Sequence, residues 1–296
     1  MMTGTIVKAI SSFYYVEAEN KIYETKVRGN LRYNNIELVT GDRVDIEVLD
    51  EENRKGVIFK SHKRSNLMKR PPVANITQAI LVFSVKSPDP NLSLIDRFLI
   101  TAMKEHVEII ICFNKIDLDD EKLIESLKAN YSAAGYPIVP VSAETGYNVE
   151  TLRAYLRDNT TIVAGPSGAG KSTLINQLVK DAKLKTGEVS EKIGRGRHTT
   201  RYTELIKLDE NSFIADSPGF SSIDISDIEE RDLKEYFPEF YEYDEQCRFG
   251  SKCIHEKEPD CRVKEAVEQG LIAERRYESY LQLLNEIRER SSRRRN

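Results

Sequence analysis

The residues 165–172, Gly-Pro-Ser-Gly-Ala-Gly-Lys-Ser, carry the spacing G-x-x-x-x-G-K-[ST]. That spacing suits a loop that wraps phosphate. Gly165, Gly168 and Gly170 let successive backbone N–H groups converge on phosphate oxygens. The helix that follows adds the positive end of its dipole. Lys171 has the reach for the β- and γ-phosphates, and the Ser172 hydroxyl can ligate Mg²⁺, with Thr173 completing the loop's contacts. The flanks agree: residues 160–164 are a short β-branched run and residues 173–179 are amphipathic and helix-forming. The loop implies a bound nucleoside triphosphate with magnesium.

A second set of residues selects the base. An apolar run at 107–113 leads straight into Asn114-Lys115-Ile116-Asp117, the N-K-x-D order by which GTPases recognise guanine. A carboxylate at Asp117 can accept from both N1–H and N2–H₂ of guanine, a donor pair that adenine lacks. Asn114 and the aliphatic part of Lys115 would frame the base. One helix and one strand later, Ser142-Ala143 resembles the short loop that closes over guanine.

A third set senses the terminal phosphate. Residues 194–201, Gly-Arg-Gly-Arg-His-Thr-Thr-Arg, are polar and glycine-rich, a composition that packs poorly and is expected to be mobile without ligand. Thr200, directly before Arg201, is the candidate second hydroxyl for Mg²⁺. Asp216-Ser-Pro-Gly219 follows a short strand and offers an acid for the metal's surroundings and a glycine N–H for the γ-phosphate. Residue 220 is Phe where many GTPases carry a Gln, and an apolar side chain cannot orient water, so slow intrinsic hydrolysis is expected. His198, or a group from a partner, is the candidate replacement. His198, Lys171 and Thr200 thus form the catalytic set.

These motifs stand in an unusual order. A conventional GTPase runs phosphate loop, threonine, D-x-x-G, N-K-x-D, S-A-x; this chain begins with N-K-x-D and ends with D-x-x-G. The domain reads as circularly permuted, which is tolerable where the original termini lie close together on the surface. The D-x-x-G then leads directly into the C-terminal segment, through which nucleotide state would be transmitted.

That segment holds Cys247, Cys253, His255 and Cys261 within 15 residues. Three thiolates and an imidazole make the Cys₃His set of a closed structural zinc site. Beyond it Tyr277, Tyr280, Leu281, Leu284 and Ile287 recur at helical spacing, before a basic tail at 293–295.

The elements needed to position these groups are legible in outline. With 296 residues, 40% hydrophobic and 31% charged, the chain has room for two or three cores. No apolar run of about 18 residues predicts a membrane span, and no signal peptide is recognisable at the start, so a cytoplasmic protein is expected. The net charge of −4 gives no global attraction to nucleic acid. Five Lys/Arg and His62 do crowd into residues 60–70 without an acid. Alternating runs at 5–10, 13–17, 21–27, 43–48 and 56–59 predict five short strands, suited to a closed barrel of the OB-fold type over residues 1–66. Phe13, Tyr14, Tyr15, Arg28, Arg32 and Tyr33 are its candidate RNA contacts, with core packing as the plainer role. Residues 67–225 predict an α/β GTPase domain with buried parallel strands at 76–83 and 107–113 and a helix between them at 92–104. Residues 226–296 predict an α-helical zinc module.

Taken together, these motifs closely resemble the small ribosomal subunit-dependent GTPase A family of bacteria, over the whole length. The resemblance implies an OB-fold barrel, a monomeric GTPase binding GTP and GDP and stimulated by the small ribosomal subunit, and a structural zinc, one per chain. It implies action in late maturation of that subunit, binding its rRNA and coupling hydrolysis to release or a conformational check. His198 occupies the position of that family's proposed catalytic histidine. Gly168 stands where some potassium-activated GTPases have Asn, so potassium dependence does not carry over. Two other readings compete. A nucleotide-kinase-like phosphotransferase would share the phosphate loop, and an RNA-binding scaffold would hold GTP without turnover.

Overall fold

The computed structural model describes residues 1–28, 37–69, 72–119, 122–186, 203–216, 225 and 227–295. Strands β1 (Met2–Ile10), β2 (Phe13–Ala18), β3 (Lys21–Val27), β4 (Arg43–Asp50) and β5 (Lys55–Ser61) close into a barrel in the order β1-β2-β3-β5-β4. The two-residue period sends Val44 and Ile46 inward on β4, where they meet Ile6, Val16, Tyr23 and Ile58, all fully buried. The predicted barrel is therefore present. Three members of the basic run at its edge are paired: Lys60 and His62 face Asp45, and Arg64 makes two hydrogen bonds to Asp42.

A small hairpin, β6 (Leu67–Lys69) and β7 (Pro72–Ala74), leads into the second domain. There β8 (Gln78–Ser84), β9 (Glu108–Asn114), β10 (Ile138–Pro140), β11 (Thr160–Ala164), β12 (Leu205–Lys207) and β13 (Phe213–Asp216) form one sheet, ordered β10-β9-β8-β11-β13-β12. All pairs are parallel except β12 with β13. Every residue of β8 is buried, as a strand covered on both faces requires. Helices α1 (Leu92–Lys104) and α2 (Lys122–Tyr131) cover one face through Phe98, Leu99, Ile124 and Leu127. Helices α3 (Val149–Tyr155) and α4 (Lys171–Thr186) cover the other through Leu152, Leu174, Ile175 and Leu178. Ser84, Asn114, Pro140, Ala164 and Asp216 are the carboxyl ends of β8, β9, β10, β11 and β13. Ligands of open α/β sheets bind outside that edge.

Residues beyond 225 form a third core, in which α5 (Arg262–Glu268) and α6 (Glu274–Arg295) enclose Phe237, Phe240, Cys253, Tyr280, Leu283 and Leu284. Ile100 of α1 joins this cluster, and Arg276 of α6, fully buried, pairs with Asp96 of α1 and with Glu239, each at 2.6 Å. Strand β12 was not predicted. It packs on the barrel: Lys8 pairs with Glu204 at 3.0 Å, Lys207 with Glu17 at 2.5 Å, and Thr40 Oγ1 donates to the Thr203 carbonyl at 3.1 Å. Among the described residues no helix is long and apolar enough to cross a membrane.

Candidate nucleotide pocket and metal centre

The phosphate loop leaves β11 at Gly165 and enters α4 at Lys171. Gly165 has φ +145°, and a Cβ there would lie 2.0 Å from the Val82 carbonyl oxygen of β8. Gly170 has φ +86°, and a Cβ there would lie 2.3 Å from Asn114 Nδ2. Both glycines are thus required by a neighbouring strand end as well as by the backbone angle. The Lys171 ammonium curls into the loop and donates to the carbonyls of Gly165 (2.8 Å) and Pro166 (2.9 Å). Ser172 and Thr173 open the first turn of α4.

Asn114 is buried at the end of β9 and joins three segments. Its Nδ2 donates to the Ala169 carbonyl (2.9 Å), while its Oδ1 accepts from the backbone N–H of Lys115 (2.8 Å) and of Ala143 (3.0 Å). One side chain therefore ties the base-reading loop, the Ser142-Ala143 loop and the phosphate loop together. Gln177 of α4 adds a second tie, donating to the Ala143 carbonyl at 3.1 Å. Lys115 sits at φ +65°, and its ammonium donates to the Ser87 carbonyl in the loop before α1. Asp117 Oδ1 accepts from Ser142 Oγ at 2.5 Å. A cavity of about 700 Å³ is lined by Asp117, Ser142, Thr145 and Tyr147 and by Ile124 and Lys128 of α2; it lies on the base-side loops, and no residue of the phosphate loop lines it. Four loops far apart in sequence thus converge at one sheet edge, whatever order the chain writes them in.

The third set is described only in part. Asp216 ends β13, beside β11 and hence beside the phosphate loop. Its partner Gly219, Phe220, and the candidates His198 and Thr200 lie outside the described residues, as do Arg32 and Tyr33 of the barrel.

Cys247, Cys253, His255 and Cys261 come together fully, with ligand atoms all within 4.8 Å of one another. Cys261 Sγ is 3.9 Å from both other sulfurs, and His255 Nδ1 is 3.7 Å from Cys247 Sγ and 3.4 Å from Cys261 Sγ. A tetrahedron with Zn–S near 2.3 Å and Zn–N near 2.0 Å has edges of about 3.8 Å and about 3.5 Å. The donor set and spacing therefore fit one metal ion. Burial pushes the Cys253 thiol up to about 12 and also raises Cys261, while it lowers His255 to about 4. The imidazole is thus held neutral, as a ligand must be, and thiolates here need a cation beside them. Tyr277 and Tyr280 of α6 donate to the carbonyls of His255 and Ile254, each at 2.6 Å, and fix the ligand loop.

Sequence reasoning did not find Ser87, Gln177, Lys234, Asp244 or the Asp96–Glu239–Arg276 cluster. Each acts through a contact distant in sequence, and no local spacing marks it.

Comparison with known proteins agrees with the architecture. A family model described as RsgA GTPase matches residues 54–226, and one described as the RsgA N-terminal domain matches residues 3–58. A protein of Alkaliphilus metalliredigens named small ribosomal subunit biogenesis GTPase RsgA is 45% identical over 288 residues, covering 97% of this chain and 98% of its own. One of the same name from Clostridium perfringens strain 13 is 46% identical over 286 residues, with 97% and 98% covered. The crystal structure of YjeQ from Thermotoga maritima superposes with a TM-score of 0.81 at 39% identity, covering 97% of this chain and 98% of that one. YloQ, described as a circularly permuted GTPase, gives 0.81 at 33% identity, covering 98% and 96%. With the permuted sheet edge, the barrel and both family models in agreement, the chain belongs to the RsgA GTPase family.

Proposed function

We propose that this protein hydrolyses GTP and acts in biogenesis of the small ribosomal subunit, which stimulates the hydrolysis. The observation that carries the GTPase reading is the Asn114 junction, where one buried amide holds the base-reading loop 2.9 Å from the phosphate loop. A phosphate loop alone serves many enzymes. Its attachment to an Asp117–Ser142 pair gives it a guanine reader, which the kinase reading leaves unexplained.

In this reading guanine lies against the aliphatic stem of Lys115, with its N1–H and N2–H₂ donated to Asp117 and the Ser142-Ala143 loop closing over it. Gly165, Pro166, Ser167, Gly168, Ala169 and Gly170 wrap the phosphates. Lys171 exchanges its two carbonyl partners for β- and γ-oxygens, where it stabilises the charge that builds on the leaving oxygen. Magnesium, held by Ser172 and Thr200 with Asp216 nearby, would neutralise charge between the β- and γ-phosphates. Gly219 would meet the γ-phosphate, and His198 would orient the attacking water, with Phe220 unable to do so. Zinc bound by Cys247, Cys253, His255 and Cys261 is structural, because four protein donors leave no open position. The functional division is a barrel over 1–66 that binds rRNA, the GTPase domain over 67–225, and a zinc module over 226–296. The protein acts as a monomer in the cytoplasm.

Phosphate release from GTP, measured with and without purified small subunits, tests this reading. Strong stimulation by subunits supports it. Transfer of the γ-phosphate to an acceptor nucleotide, in place of release of free phosphate, would replace it with a kinase, and absence of turnover would leave a scaffold.

A further inference from the structure

Lys234 is buried, in a helical turn (Leu233–Tyr236) that precedes every residue of the metal cluster. Its ammonium has three acceptors: Asp244 Oδ1 at 2.8 Å, the Ser251 carbonyl at 2.9 Å and the Cys253 carbonyl at 3.1 Å. A lysine is rarely buried unless its charge is paired and its donors are used. The same Asp244 oxygen lies 3.0 Å from His255 Nε2, in an off-axis approach. That nitrogen is buried and completes no hydrogen bond with any described residue, Asp244 included. His255 Nδ1, on the other side of the ring, faces the sulfurs.

From this geometry we infer that Lys234 and Asp244 are positioning residues that aim two of the four ligands at the metal, an inference that rests on reading the Cys₃His cluster as a zinc site. A small turn of its carboxylate lets Asp244 accept the Nε2–H of the neutral imidazole, which leaves the lone pair on Nδ1, the nitrogen that faces the cluster. Metal-bound histidines commonly have their tautomer and ring orientation fixed by such a carboxylate. Lys234 holds Asp244 in place with one hydrogen bond. With the other two it grips the backbone on both sides of Lys252, and so fixes the direction of the Cys253 side chain. External support matters here because His255 stands at φ +56°, a left-handed conformation that a histidine does not hold unaided. The ammonium also sets a positive charge beside a centre whose three thiolates exceed the charge of a divalent cation by one.

The test uses the full-length purified chain and the variants K234M, D244A and D244N. Zinc transfer to a chromogenic chelator gives affinity, and the absorption of the cobalt-substituted protein reports the ligand field. Binding of a fluorescent GDP analogue checks that each variant is folded. K234M and D244A are expected to hold zinc about 10- to 100-fold more weakly, with shifted cobalt bands. D244N, whose amide oxygen can still accept Nε2–H, is expected to recover most of the loss. If K234M does not fold, the D244A and D244N pair carries the test. Wild-type affinity and unchanged cobalt bands in D244A and K234M would overturn the inference. So would equal loss in D244A and D244N with unchanged bands, which would mean general loosening. If the wild type itself bound neither zinc nor cobalt through thiolates, the zinc reading beneath the inference would fall first.

Discussion

Asn114 lies in a motif named for reading a base, yet all of its described hydrogen bonds go to protein backbone. Those bonds hold three loops at fixed separation, which the proposed reading requires if Asp117 and Lys171 are to act on one ligand. Asn114→Ala leaves the Ala169 carbonyl and the Ala143 N–H without their partner, each costing about 1–3 kcal/mol when buried. The variant is therefore expected to lose both stability in urea and most nucleotide affinity. A variant with full stability and wild-type affinity would show that the junction is incidental. The motif's residue types and spacing were legible in the sequence because they are local. The reason for Gly170 was not, since it depends on an amide 56 positions away, and the contact that demands it exists only after folding.

At the scale of elements, β1 to β5, β8, β9 and α1 were legible because periodicity and burial agree in them. Strand β12 was missed because it has three residues and its partners are β13 and the barrel. Asp96 was missed because it interrupts the apolar face of α1, and its burial makes sense only with Arg276 opposite. Removing one member of a buried ion cluster leaves uncompensated charge, a loss of about 3–5 kcal/mol. Arg276→Met should therefore lower the urea midpoint steeply, and combining it with Asp96→Asn and Glu239→Gln should restore part of the loss. If the single variant were as stable as the wild type, the cluster would not join the domains.

The barrel offers a pH prediction. Hydrogen bonds from His62, and then from Thr3, hold the Asp45 carboxyl below its usual range. A folded value below the unfolded one stabilises at pH above the ordinary carboxylate range, and the stabilisation is lost as pH falls through the lowered value. Asp45→Asn should thus be less stable than the wild type near neutrality, and the two should converge in strong acid. Parallel urea midpoints that never converge would contradict this. In sequence the basic run at 60–70 has no acids, whereas in the fold Asp42 and Asp45 lie beside it and pair with Arg64, Lys60 and His62.

For the whole molecule, the permutation rewrites connections while leaving the sheet edge intact. Its consequence is that the zinc module follows directly on β13 and Asp216, and is also fastened to α1 through Arg276 and through Arg97 with Glu286. Helix α1 follows the Ser87 loop that takes the Lys115 ammonium. If nucleotide state is transmitted to the C-terminal module, the chain connection after Asp216 and the contacts of α1 are the two routes to test. Hydrogen exchange of the GTP- and GDP-bound forms should differ in α1 and beyond residue 225, and identical patterns there would exclude both routes.

The central claim is that Asp117, held beside the phosphate loop, reads guanine. Its most direct measurement is the affinity of wild type and Asp117→Asn for GTP, ATP and xanthosine triphosphate. Xanthine carries an oxygen where guanine carries the N2 amine, so an amide donor should suit it and a carboxylate should not. The wild type should prefer GTP over both others. The variant should lose about 100-fold or more for GTP, equivalent to about 3 kcal/mol, and gain for the xanthine nucleotide. Equal binding of ATP and GTP by the wild type, or an unchanged preference in the variant, would contradict the account.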